Sequence, residues 1–191
     1  MKTESMLILD FGSQYTHLIK SSLQDIGVFS IIIPADTSCK KWQECDNNNK
    51  YHVKGIVLSG GAVSVRTAQI PFDHDWLTMK VPVLGICYGH QLLAKLLGGI
   101  VKQSNPEYGS SPLSVIQKSL LTKGVRNGSI VWMSHSDTVM KLPSDCMVLA
   151  KSRRAPIAAY QKTGTNIFGI QFHPEVSHTD QGKLIWKNFL F

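Results

Sequence analysis

Short apolar runs alternating with helical patterns constrain this chain more than anything else in its sequence. Met6 to Asp10 reads as a buried strand, and a polar turn then leads to a helix from about Tyr15 to Ile26, ended by Gly27. Val28 to Ile33 is a second strand, stopped at Pro34, and Val53 to Leu58 is a third that empties into Ser59-Gly60-Gly61. Val81 to Ile86 is a fourth, and a helix from about Gly89 to Leu97 closes on Gly98-Gly99. Strand and helix in this order predict an α/β fold with a mostly parallel sheet. Further along, strand-like pieces are separated by turns: Ser114 to Ile116, Ile130 to Trp132, Met147 to Ala150, Ile157 to Tyr160 and Ile167 to Phe172. A helix near Asp180 to Leu190 comes last. Asp46 to Lys50, with asparagine at 47, 48 and 49, reads as an exposed loop. No repeat and no interdomain linker is visible, so 191 residues suit a single domain spanning 1–191.

Composition narrows the function classes. Val28 to Pro34 and Val81 to Cys87 are the longest apolar stretches, too short to cross a bilayer. Met1 to Ser5 is polar, so no signal peptide is expected. Cys39, Cys45, Cys87 and Cys146 show neither a C-x-x-C pair nor zinc-ligand spacing, and read as free thiols in a reducing cytoplasm. The net charge of +7 raises nucleic acid as a partner, but the basic residues are scattered and lack interleaved aromatics. A solvated surface or an acidic protein partner is the better expectation.

The segment richest in chemistry is Val81 to Gln91. An apolar strand runs into Cys87 with Gly85 and Gly89 at −2 and +2, and a helix follows at once. This is the cysteine form of the G-x-S-x-G nucleophile elbow. Such a turn holds its central residue in strained backbone, and side chains at the flanking glycines would collide with strand and helix. The helix N-terminus favours thiolate, and its free N–H groups can hold an oxyanion. An inert core cysteine is the plain alternative.

Phe172-His173-Pro174-Glu175 follows another apolar strand. In an extended segment residues i and i+2 point to the same side, so His173 and Glu175 can lie together, the carboxylate fixing the ring while its other nitrogen faces a thiol. A surface histidine beside a solvated glutamate is the bland alternative. Asp137 stands two past His135, in a segment that reads as a turn. Gly60 and Gly61, at a strand's C-terminal end, allow bare backbone to approach a ligand. Ser59 to Ser64 also has a superficial likeness to an ATP-pyrophosphatase loop, but Val63 stands where that loop needs an acid.

Taken together, these residues resemble the class I glutamine amidotransferase family, and within it the GMP synthase branch. Asp10 to Thr16, Ile56 to Gly61, Gly85 to Gly89, Glu107 to Gly109, Val131 to His135 and Gln171 to Val176 carry the likeness, which runs from about Met6 to Phe191. It implies a flavodoxin-like architecture with helices on both faces of a largely parallel sheet. It also implies Cys87 as nucleophile, His173 as base and later acid, and Glu175 as orienter. The backbone of Tyr88 with Gly60 or Gly61 would form an oxyanion hole. Gln91 and the backbone of Ser134, His135, Ser136 and Asp137 would hold glutamine. The implied reaction needs no metal or organic cofactor. The implied partner is an ATP-pyrophosphatase synthase, as a domain or a separate protein lying outside this chain, that uses ATP and magnesium to aminate xanthosine monophosphate to GMP. Ala62, His90 and Ser136 depart from residues common in the family at those positions. Other readings are an amidotransferase of another biosynthetic pathway, a hydrolase of γ-glutamyl peptides, or a non-catalytic regulatory module.

Overall fold

The computed structural model describes residues 2–46, 50–67 and 70–190. The asparagines at 47–49 of the expected loop lie outside the described residues. In chain order the elements are β1 (Thr3–Phe11), α1 (Thr16–Gln24), β2 (Ser30–Pro34), α2 (Cys39–Cys45), β3 (Tyr51–Gly61), β4 (Val83–Ile86) and α3 (Tyr88–Leu96). There follow β5 (Ile100–Pro112), β6 (Ser114–Val115), β7 (Ile130–Lys141), β8 (Cys146–Lys151), β9 (Ala159–Lys162), β10 (Ile167–Ile170) and α4 (Gly182–Leu190).

Eight strands form one sheet in the order β2-β1-β3-β4-β10-β9-β8-β6. The first five are parallel, and β9, β8 and β6 extend the edge antiparallel. Each parallel strand alternates two apolar sides, as burial on both faces demands. Met6, Ile8, Val57, Leu84, Phe168 and Ile170 face Ile19 and Leu23 of α1 and Ile185, Trp186 and Phe189 of α4. Leu7, Leu9, Ile56, Leu58 and Val83 face Leu92, Leu93 and Ala94 of α3, with Cys39 and Trp76 beyond. Each fully buried Leu or Ile contributes on the order of 1.5–3 kcal/mol. The two faces therefore fix the α/β layering. Among the described residues, no helix is long and apolar enough to cross a membrane.

The pairing of β10 with β4 matters most for chemistry. Gly169 stands opposite Gly85 and Ile170 opposite Ile86, and the Cys87 amide donates to the Ile170 carbonyl at 2.9 Å. The chain leaving β10 is thus delivered beside the chain leaving β4, although more than eighty residues separate them in sequence.

Several expectations need correction. The third strand does not end at Leu58: Ser59, Gly60 and Gly61 belong to β3 itself. The helix Cys39–Cys45 was not expected; it is short, and the Ser38 side chain caps it by accepting from the Lys41 amide. The larger error concerns β5 and β7, which pair antiparallel as a separate two-stranded sheet. Ser134 to Asp137 is therefore strand, not turn. The cause is the polarity of β5, whose Lys102, Gln103, Ser104 and Asn105 present no apolar alternation to read.

Candidate active site

Cys87 caps α3 with φ 51° and ψ −99°, a left-hand backbone region that an L-residue enters at a cost of about 1–3 kcal/mol. The flanking glycines show why nothing larger fits. A Cβ on Gly85 would lie 2.5 Å from the Gly89 carbonyl carbon, and one on Gly89 would lie 2.4 Å from the Leu58 oxygen. Strand and helix are in backbone contact there, so the turn cannot relax. The Cys87 thiol is nearly buried and approaches the Ser134 carbonyl at 3.5 Å. Tyr88 holds the first position of α3, where a backbone N–H has no partner within the helix.

His173 and Glu175 come together, but not by strand alternation. β10 ends at Ile170, and the two residues sit in the irregular segment after it. His173 Nδ1 donates to Glu175 Oε1 at 2.7 Å, with both side chains almost wholly buried. The segment is stapled to β7: the His173 amide donates to the Trp132 carbonyl at 3.0 Å. Thr179 Oγ1 donates to the His173 carbonyl at 2.6 Å and accepts from the Trp132 amide at 3.0 Å. The Tyr15 ring meets His173 edge-on at 5.0 Å. Burial opposes a charged imidazole, yet the Glu175 carboxylate and the nearby Cys87 sulfur outweigh it and raise the His173 pKa. Nε2 of His173 is buried with no hydrogen-bond partner among the described residues.

A cavity of about 400 Å³ opens at the carboxyl ends of β1, β3 and β4, where open α/β sheets place their ligands. Cys87, His173, Gly60, Gly61, Tyr88, Gln91, Ser134, His135, Ser136 and Asp137 all line it. Glu175 stands behind His173, outside the lining. Gly61 is pressed between the Phe11 carbonyl and the Tyr88 ring, each 3.0 Å from where its Cβ would be. Gly60 leaves room beside His173 Cε1, 3.4 Å from its missing Cβ. The amide nitrogen of Gln91 is committed to the protein, donating to the Asp137 carbonyl at 2.8 Å. Asp137 is committed as well: Arg66 Nε meets its Oδ1 at 2.9 Å, and Ser64 donates to its Oδ2.

His90 is not part of this cavity. It is fully buried against Tyr160, with ring centroids 4.9 Å apart, and burial drives its pKa down to about 3. The neutral ring thus serves as core. His135 is the more consequential histidine. Its Nδ1 lies 3.0 Å from the Asp137 carbonyl and its Nε2 lies 3.5 Å from Glu107 Oε2. Burial lowers its pKa, against the opposing pull of Glu107.

Sequence reasoning passed over Ser13, Gln14, Tyr15, Ser64 and Tyr108 as lining residues. A signal existed for the first three, since Asp10 to Thr16 is a polar turn straight after a buried strand. Asp10 Oδ1 holds that turn, accepting from the Gly12 amide at 2.9 Å and Thr16 Oγ1 at 2.7 Å.

A strained cysteine at a strand–helix elbow, a buried imidazole–carboxylate pair and bare glycine backbone thus meet around one cavity. The sequence pattern described as glutamine amidotransferase class-I matches residues 7–191, and the chain belongs to that family. Among its relatives, the GMP synthase [glutamine-hydrolyzing] of Caldanaerobacter subterraneus subsp. tengcongensis is 43% identical over 193 residues, covering 100% of this chain. That of Debaryomyces hansenii is 44% identical over 191 residues, covering 97% of this chain. The chain spans only 36% and 34% of those two proteins, respectively. A solved structure from Thermoplasma acidophilum, described as one subunit of a GMP synthase, superposes with a TM-score of 0.84 at 30% identity, covering 100% of this chain and 94% of that one. The PurLQS structure from Thermotoga maritima, at 18% identity and a TM-score of 0.74 over 100% of this chain and 98% of that one, shares the fold.

Proposed function

We propose that this chain hydrolyses glutamine to glutamate and ammonia through Cys87, His173 and Glu175, and passes the ammonia to an ATP-dependent synthase that aminates xanthosine monophosphate to GMP. The observation that carries the reading is Cys87, held at φ 51° between two glycines that admit no Cβ, on the cavity wall shared with His173. Backbone strain of this kind persists only where the surroundings enforce it, and clusters at reactive sites.

The chemistry follows from the groups present. The thiolate of Cys87 attacks the carboxamide carbon, and the oxyanion is met by the amides of Tyr88 and of Gly60 or Gly61. His173, held as imidazolium by Glu175, gives its proton to the departing nitrogen, and ammonia leaves. The neutral ring then takes a proton from water, whose oxygen attacks the γ-glutamyl thioester. The thiolate is expelled as glutamate forms, and imidazolium is restored. Every bond broken is matched by one formed within glutamine, water and these side chains. The backbone from Ser134 to Asp137 and the side-chain oxygen of Gln91, whose nitrogen is bound to the Asp137 carbonyl, hold the substrate.

The synthase assignment is supported by the GMP synthase relatives and by the length of those proteins that this chain leaves uncovered. The test supplies a synthase in trans with ATP, magnesium and xanthosine monophosphate. Glutamine-dependent GMP formation should require this chain with an intact Cys87, and ammonium-dependent formation should require neither. GMP formed from glutamine with Cys87→Ala would refute the reading.

A further inference from the structure

Glu107 lies outside the cavity lining, yet it is buried and faces a residue of the wall that meets Cys87. It stands directly opposite His135 in the β5–β7 ladder, immediately after the irregularity between Gln103 and Glu107. Its carboxylate is 6% exposed at the residue level and held on both oxygens. Ser111 Oγ donates to Oε1 at 2.6 Å, and Ser152 Oγ donates to Oε2 at 2.7 Å. Ser152 belongs to the segment joining β8 to β9 in the main sheet, so Glu107 ties the small sheet to the large one.

The connection continues inward. His135, 4% exposed, points Nε2 at Glu107 Oε2 from 3.5 Å, and that nitrogen has no hydrogen-bond partner among the described residues. Its Nδ1 meets the Asp137 carbonyl at 3.0 Å, where Gln91 of α3 also donates. Nearby in β7, the Ser134 carbonyl meets the Cys87 thiol and the Trp132 carbonyl receives the His173 amide. A shift of this short stretch therefore moves the wall against both the thiol and the general base. The charge-assisted bonds from Ser111 and Ser152 hold the Glu107 carboxylate in place against the His135 ring, and such bonds are strong in a dry interior, so Glu107 is placed to fix that stretch.

We propose that Glu107 is a positioning residue which, acting through His135, fixes the β7 backbone from Ser134 to Asp137 so that glutamine is held in register with the Cys87 thiol. The inference rests on the glutaminase reading above. Glu107 exchanges no proton with substrate, and its contribution is to geometry and affinity.

Glu107→Gln removes the charge while leaving both serine contacts possible, since a hydroxyl both donates and accepts. The experiment uses the full chain and two electrophiles that alkylate thiols: a glutamine-like chloroketone, which must bind as glutamine does, and iodoacetamide, which needs only a reactive thiol. The half-saturating concentration of the chloroketone should rise about tenfold in Glu107→Gln, the effect of losing one charge-assisted contact, and the iodoacetamide rate should stay within about twofold of wild type. Ser152→Ala, which frees Oε2 without removing charge, should move the chloroketone value in the same direction by less. That variant keeps the test decisive if Glu107→Gln fails to fold. Unchanged chloroketone saturation in the variants would overturn the proposal. An equal fall in both rates would also overturn it, because general loosening and not positioning would be the cause. Failure of the underlying reading has a different signature: wild type itself would show no saturation with the chloroketone.

Discussion

Cys87 carries conflicting demands at a single residue. Its φ of 51° is unfavourable for any side chain, and its sulfur must remain reachable from a cavity although the residue is nearly buried. Cys87→Gly should therefore unfold at a temperature equal to or slightly above wild type, because relief of about 1 kcal/mol of strain offsets the lost packing, while ammonia release from glutamine is abolished. A clear drop in Tm would mean that the turn is not strained. His173 gives a second test, through pH. Its folded pKa is raised above the ordinary 6.5, so the folded state holds the proton more tightly than the unfolded chain. The stability this adds is complete below about pH 6.5 and fades as pH rises through the folded value. Urea midpoints measured from neutral to alkaline pH should fall more steeply for wild type than for His173→Gln, and parallel curves would contradict the assigned ion pair. For turnover, His173→Ala should cost nearly as much as loss of the thiol, and Glu175→Gln less, since it removes no reacting group. The sequence made the elbow legible because its glycines are dictated by contact at fixed spacing. It could not disclose that Arg66 neutralises Asp137 or that Glu107 faces His135, since neither pairing has a local signature.

At the scale of elements, the site depends on close backbone approaches. Gly182, the first residue of α4, would place a Cβ 2.1 Å from the Pro174 oxygen, inside the segment that carries His173 and Glu175. Gly182→Ala must push that segment, so kcat for glutamine hydrolysis should fall at least tenfold although no reacting group is altered. Activity within twofold of wild type would show that the segment can give way. Gly89→Ala meets the Leu58 oxygen at 2.4 Å in the core and should destabilise the fold by about 1–3 kcal/mol, measurable by denaturant melts. The parallel strands were readable because burial on both faces forces continuous apolar runs, as in Met6 to Leu9 and Val83 to Ile86. β5 was not, because its side chains are largely polar and exposed and its partner β7 alone defines it. Missing β5 turned the Ser134 to Asp137 strand into an expected turn. His173 and Glu175 meet through a turn after β10, whereas their spacing in sequence predicts strand alternation.

In the whole molecule, the cavity draws its walls from the ends of β1, β3 and β4, from β7, and from the segment after β10. Catalytic groups need alignment to within about 0.5 Å, and segments so far apart in sequence are aligned only as well as the sheet and its neighbours hold them. The proposed synthase partner is therefore expected to raise glutaminase turnover several-fold when it binds with its nucleotide, a usual way to gate such a site. Steady-state rates with and without the partner check this, and full speed without it would remove the gating. The central claim, that Cys87 takes the γ-glutamyl group from glutamine, can be tested on the chain itself. The protein is mixed with glutamine, quenched in acid, digested and examined by mass spectrometry for a glutamyl thioester. The adduct should lie on the peptide containing Cys87, should disappear in Cys87→Ala along with ammonia release, and should leave Cys39, Cys45 and Cys146 unmodified. An adduct on another cysteine, or ammonia release that survives Cys87→Ala, would contradict the account.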